Sequence, residues 1–150
     1  MAGELYLIDS NVLIRWVQHE SPDFSVVRTA IKQLSRFKYV PCYTSQNLGE
    51  FWNVLTRPAD RNGYGYTPAA AHIRAADIES NLRLLPDTLA VHNVWRRLLV
   101  DYRVCGVQVH DARLVAAMRV HGVERILTFN TKDFARFDQI QAIHPRDLAA

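Results

Sequence analysis

The feature that most restricts the fold of this chain is a series of short apolar runs separated by longer stretches with helical periodicity. Leu5-Tyr6-Leu7-Ile8 is too short for a helix and lacks the alternation of a half-buried strand. Such a run belongs to a strand covered on both faces, as in a parallel sheet. Comparable segments recur at Tyr39-Val40-Pro41-Cys42-Tyr43, Leu84-Leu85, Arg125-Ile126-Leu127-Thr128-Phe129 and Ile140-Gln141-Ala142-Ile143. Proline gives no hydrogen to a ladder, so Pro41 predicts an edge strand or a strand end.

The intervening stretches read as helices. Val12 to Val17 begins one after Asp9-Ser10-Asn11, and Val27, Ile31 and Leu34 recur at helical spacing after Ser21-Pro22. Thr44 or Ser45 caps a helix with Leu48, Phe51, Trp52 and Leu55 on one stripe, ending before Pro58. Thr67-Pro68 starts another, carrying Ala71, Ala75, Ile78 and Leu82 inward. Val91, Trp95, Leu98 and Tyr102 mark a further helix, and Asp111 opens one with Leu114, Val115 and Met118 below it. Strands alternating with helices predict an α/β chain: a three-layer α/β/α sandwich around a central, mainly parallel sheet. A length of 150 residues suits one domain, and 49% hydrophobic content supplies its core.

Several classes are disfavoured. No apolar run approaches the roughly 18 residues of a membrane span, and the first residues lack the basic-then-apolar pattern of a secretory signal. Cys42 and Cys105 match no metal-binding spacing and are expected as two free buried thiols in a reducing cytoplasm. The net charge of +3 tolerates a polyanionic partner without requiring one.

The chemistry rests on acids. Asp9 follows the first apolar run, at the carboxyl end of a parallel strand, where ligands collect in open sheets; helix capping accounts for it equally well. Asp111 shares a helix face with Leu114, Val115 and Met118, so it heads a core-facing stripe. Glu50 borders the stripe of its own helix, with Gln46, Asn47 and Val54 as helical neighbours. Thr128, Asn130 and Asp133 follow the strand containing Ile126 and Leu127. Carboxylates converging on one sheet edge repel, and each is pushed towards its protonated form unless a cation neutralises them. Oxygen donors without a Cys/His cluster favour Mg²⁺ or Mn²⁺ over zinc. Such ions polarise phosphoryl oxygens and lower the pKa of water, as phosphodiester hydrolysis requires.

Four segments in this order resemble the PIN-domain family, and within it the VapC-type ribonuclease toxins of toxin–antitoxin pairs. They are Leu7-Ile8-Asp9-Ser10-Asn11-Val12-Leu13-Ile14, Asn47-Leu48-Gly49-Glu50-Phe51, His110-Asp111-Ala112-Arg113-Leu114-Val115-Ala116-Ala117-Met118, and Ile126-Leu127-Thr128-Phe129-Asn130-Thr131-Lys132-Asp133-Phe134. The resemblance implies a compact α/β/α fold, metal-dependent endoribonuclease activity on RNA, a homodimer and a cognate antitoxin whose tail covers the acidic pocket. Asp9, Glu50 and Asp111 match the family's metal-site acids, with Glu50 binding directly or through water. The fourth polar position falls on Asn130 or Asp133, and Thr128 matches the supporting hydroxyl.

Arg15, Arg57, Arg61, Lys132 and Arg136 are candidate phosphate contacts, and Tyr64 and Tyr66 candidate base-stacking groups; solvated arginines and loop-pinning tyrosines are the ordinary alternatives. His110 is either a group behind the metal or a helix-start histidine, and Trp16, Trp52 and Trp95 are assigned to core or dimer contacts. One rival function is a phosphatase using Asp9 as nucleophile, but its pattern wants a second aspartate where Asn11 stands. The other is a catalytically weak PIN-like module that binds RNA or protein without cutting.

Overall fold

The computed structural model describes residues 3–150; Met1 and Ala2, part of the segment read for a signal, lie outside the described residues. Five strands form one all-parallel sheet: β1 (Leu5–Ile8), β2 (Val40–Thr44), β3 (Arg83–Leu85), β4 (Arg125–Leu127) and β5 (Gln141–Ile143), in the order β3-β2-β1-β4-β5. The helices are α1 (Ser10–Val17), α2 (Phe24–Arg36), α3 (Ser45–Thr56), α4 (Pro68–Asn81), α5 (Leu89–Asp101), α6 (Gln108–Val120) and α7 (Pro145–Ala149). Short 3₁₀ turns occupy Ala59–Arg61 and Thr131–Phe134.

The uninterrupted apolar runs are explained by two separate cores. Tyr6 and Ile8 of β1, Tyr43 of β2 and Leu127 of β4 pack with residues of α1, α2, α3 and α4. The alternate positions Leu7, Cys42, Leu85 and Ile126 pack with residues of α5 and α6 on the opposite face. A strand with apolar side chains on both faces must be sandwiched, which yields three layers.

Three expectations change, and one is narrowed. Of the two places expected for Pro41, the strand end holds and the edge does not: β2 is interior, and Pro41 is its second residue. The pairing of β2 with β3 begins only at Cys42, so the missing N–H falls at the strand's start, where that ladder has not begun. Helix α6 starts at Gln108 rather than at Asp111. Trp95 Nε1 donates to Val109 O at 2.8 Å and Gln46 Nε2 to His110 O at 2.9 Å, tying this first turn to α5 and α3. Cys42 is buried but Cys105 is exposed, in the sharp connection between α5 and α6 where Arg103 and Gly106 have φ of 50° and 60°. Finally α7, unforeseen as a helix, packs against α2.

The sheet order places the functional crevice. From β1 the chain winds outward to β2 and β3, then returns to the other side for β4 and β5. The carboxyl ends of β1 and β4 therefore border the point where winding reverses, where open sheets bind ligands. Asp9 follows β1 and Thr128 follows β4, joined across the seam by Asp9 N donating to Leu127 O at 3.0 Å.

Candidate functional site

A cleft of about 320 Å³ opens at this seam, lined by Asp9, Ser10, Asn11, Glu50, Asp111, Asn130 and Asp133 among others. Four chain segments meet there. Asp9 is the N-cap of α1, its Oδ1 accepting from Ser10 N at 2.8 Å. Its other oxygen accepts from Thr128 Oγ1 at 2.8 Å, so capping and a site role coexist in one carboxylate. Asn11 Nδ2 donates to Thr128 Oγ1 at 3.3 Å, and Phe129 N donates to Asn11 Oδ1 at 3.2 Å. Asn130 N also donates to Thr128 Oγ1, at 3.0 Å. The hydroxyl thus accepts from two amides and directs its own hydrogen at Asp9.

Glu50 is placed by α3. Thr44 caps that helix by accepting from Asn47 N at 3.1 Å, while Asn47 Oδ1 accepts from Thr44 N at 2.9 Å. Glu50 Oε2 accepts from Ser10 Oγ at 2.7 Å and its Oε1 from Gln46 Nε2 at 3.0 Å. It faces the cleft shared with Asp9 and Asp111. Asp111 and Asp133 accept no hydrogen bond among the described residues, and no Arg, Lys or His side chain there forms an ion pair with any of the four acids.

Uncompensated burial shows in the titration behaviour. Asp9, only 6% exposed, is pushed up to about 6, chiefly by loss of water, with Glu50 adding repulsion and Thr128 and Ser10 opposing the rise. Asp111 is pushed up to about 7 by burial, then by the charges of Asp133, Asp9 and Glu50 in that order. Of the neighbouring acids, Asp133 is therefore the one whose charge Asp111 feels most strongly. Asn130 lines the same cleft but contributes no charge.

Other sequence candidates separate. His110 is exposed and enters the arrangement only through its backbone oxygen. Arg136 is bound to Gln108 and to Tyr102 O, and Lys132 and Arg61 are exposed outside the cleft. Trp16 and Trp52 pack against one core and Trp95 against the other. Sequence reasoning missed the ties made by Ser10, Asn11 and Gln46. The available signal was adjacency: Ser10 and Asn11 directly follow Asp9, and Gln46 precedes Glu50 by one helical turn.

The donor set suits a hard divalent cation: oxygen groups only, negatively charged in excess, with no counter-charge from the chain. Among the described residues no three acidic, His or Cys side chains are already drawn together at chelating spacing. The residues fit the ion by chemistry and by the cleft they share.

Comparison with known proteins matches the PIN domain over residues 6–140. No curated protein matches the sequence. Among solved structures, VapBC2 from Rickettsia felis, bound to a DNA fragment from its promoter, aligns with a TM-score of 0.72 at 11% identity, covering 93% of this chain and 98% of that one. The Mycobacterium tuberculosis toxin VapC20, described as cleaving the sarcin–ricin loop, aligns at 0.65 with 21% identity over 92% and 99%. A toxin–antitoxin complex from Klebsiella pneumoniae aligns at 0.62 with 18% identity over 93% and 97%. At these identities the likeness is one of fold.

Proposed function

Because this chain belongs to the PIN-domain family, we propose that it is a divalent-cation-dependent endoribonuclease, the toxin of a toxin–antitoxin pair, built on one nuclease domain spanning residues 1–150. The observation that carries this reading is the cleft at the sheet's reversal point, where Asp9, Glu50, Asp111 and Asp133 gather without a counter-ion from the chain. The solved toxins of similar fold support it. Its substrate is RNA, its partners a cognate antitoxin and a second copy of the chain, and its place the cytoplasm. No helix among the described residues is long and apolar enough to cross a membrane.

Asp9 and Asp111 would hold Mg²⁺ or Mn²⁺, with Glu50 directly or through water and Asp133 or Asn130 completing the set. The bound ion supplies Lewis acidity, polarising the scissile phosphoryl group and easing deprotonation of water. The chain's own residues do the rest. Thr128 and Ser10 N fix the Asp9 carboxylate, favour its ionised form and so keep it ready to bind a cation. Ser10 Oγ and Gln46 hold Glu50 at the cleft wall. Asp111 and Asp133, free of hydrogen bonds among the described residues, are the groups able to move towards a charge. Where these carboxylates are ionised, they also disfavour anions other than those a cation brings in.

The deciding experiment is RNA cleavage with Mg²⁺ or Mn²⁺, comparing wild type with Asp9→Asn. Loss of a metal-ligating carboxylate should reduce turnover by at least about a hundredfold, and chelator should abolish it. In cells, wild type should arrest growth and Asp9→Asn should not. The wider spacing of the acids favours the second reading, a module that binds RNA or protein without cutting. Wild-type cleavage that survives both EDTA and Asp9→Asn would sink the nuclease proposal.

A further inference from the structure

Beside the acidic cleft lies a second one of about 370 Å³, and Ile14 and Val54 belong to the walls of both. The second cleft is lined by Arg15, Arg57 and Tyr64 and by no acid. Helix α3 runs along the pair: Glu50, Asn53 and Val54 share one face, and Arg57 follows as the C-cap, its N–H bonded to Asn53 O. Seven residues advance about 10 Å along a helix, so the surface passes from acid to base within a nucleotide or two of the acids.

The groups in this second cleft differ in how committed they are. Arg15 Nε pairs with Asp23 Oδ2 at 3.2 Å, its Nη1 donates to Asn11 O at 2.7 Å, and its guanidinium lies 4.6 Å from the Phe129 ring centre. It is occupied. Tyr66 is also taken, its hydroxyl accepting from Gln18 Nε2 at 3.0 Å and pinning the loop to α1. Tyr64 is 44% exposed and its hydroxyl has no partner among the described residues. Arg57 is half-buried, and its Nη2 donates to Asn62 O at 2.7 Å. Its Nε is buried without an acceptor, and no carboxylate among the described residues forms an ion pair with it. A partly dried guanidinium without a counter-ion is a place for an anion, and its planar fork matches phosphate.

The loop that presents these groups is held in place beforehand. Tyr64 N, Gly65 N and Tyr66 N donate to Val54 O, Arg57 O and Leu55 O, satisfying the end of α3. A Cβ on Gly63 would stand 2.0 Å from Arg57 O, so only glycine lets the loop close this tightly. Order in the free protein lowers the entropy lost on binding.

We propose that this cleft is a nucleotide subsite for single-stranded RNA, with Arg57 on a phosphate next to the scissile bond and the Tyr64 ring stacked on an unpaired base. The proposal rests on the nuclease reading and deepens it by naming the residues of this chain that grip the substrate beside the acids. In a duplex the bases are stacked on each other and unavailable to the ring. Arg57 also offsets the repulsion that four nearby acids exert on a polyanion.

The test combines anisotropy of a fluorescein-labelled, mixed-sequence single-stranded oligoribonucleotide in EDTA with steady-state cleavage in Mg²⁺. Tyr64→Ala should weaken binding about fivefold or more without changing its salt dependence, and Tyr64→Phe should bind as wild type does. Arg57→Ala should weaken binding and lower the slope of log affinity against log salt by about 0.7. Both alanine variants should raise KM while kcat stays within about twofold. A blunt RNA duplex should be bound no more weakly by Tyr64→Ala than by wild type. Because Arg57 also clamps the loop, Tyr64→Ala decides the matter if Arg57→Ala lowers the melting temperature. Wild-type affinity and KM in Tyr64→Ala, or equal damage from Tyr64→Phe, overturns the subsite and leaves the nuclease reading standing. A wild-type protein that neither binds nor cuts RNA overturns both.

Discussion

Asp9 must cap a helix and carry charge in a nearly dry place, and its neighbours are disposed around that conflict. Burial drives the carboxyl towards its protonated form, while Thr128 Oγ1 and Ser10 N draw it back. Thr128→Val keeps the shape and removes the hydroxyl. It should therefore raise the Asp9 pKa further, moving the acid limb of the pH–rate profile to higher pH. It should also destabilise the protein by about 1–3 kcal/mol, because Asn11 Nδ2 and Asn130 N lose a buried acceptor; thermal melting and a pH–rate series check both. A Thr128→Val profile superimposable on wild type would show that the hydroxyl does not tune Asp9. Asp9 and Asp111 were legible in the sequence, one at a strand's end and one aligned with a core-facing stripe. The tie from Ser10 to Glu50 was not, since it joins residues 40 positions apart that only the fold makes neighbours.

At the level of elements, α3 is the arm that brings Glu50 and Arg57 to their clefts, and its N-terminus is fixed by reciprocal bonds between Thr44 and Asn47. Both are buried. Thr44→Ala should lower stability by about 1–2 kcal/mol and reduce cleavage through displacement of Glu50, measured as a fall in melting temperature with a parallel fall in kcat. Unchanged turnover in the destabilised variant would mean that α3 does not need this cap to position Glu50. The cap residue was readable because hydroxyl side chains before an apolar stripe announce a helix start. The start of α6 was less so, because its first turn is secured by Trp95 and Gln46 from other helices. Likewise α7 is five residues long, too short to show periodicity, and exists by packing on α2.

Over the whole molecule, proton and cation binding are linked to stability. The folded chain keeps protons on Asp9 and Asp111 that an unfolded chain gives up near pH 3.8. Raising the pH without metal should therefore destabilise the fold, beginning near pH 4 and complete once both have ionised, above about pH 7, with about 3 kcal/mol from Asp9 and a further contribution from the less buried Asp111. Lowering the pH through the same window relieves the repulsion. Added Mg²⁺ needs the ionised acids, so it should raise the melting temperature at pH 8 by a few degrees and hardly at all at pH 5. Asp111→Asn should raise the metal-free melting temperature at pH 8 and remove most of the Mg²⁺ shift. A melting curve indifferent to Mg²⁺ at pH 8 would argue against cation binding in the cleft.

By itself the sequence determined the layers. Apolar runs without alternation admit only strands covered on both sides, and helical stripes between them supply the covers; that information is local and periodic. It also marked which acids were unusual for their surroundings. Only the tertiary structure decided that β2 is interior, that Cys105 is exposed, and that Tyr66 is tied down while Tyr64 is exposed. It also decided which polar groups hold the acids and that Asp133 stands against Asp111. Those outcomes depend on strand order and on contacts between distant segments, which no local pattern encodes.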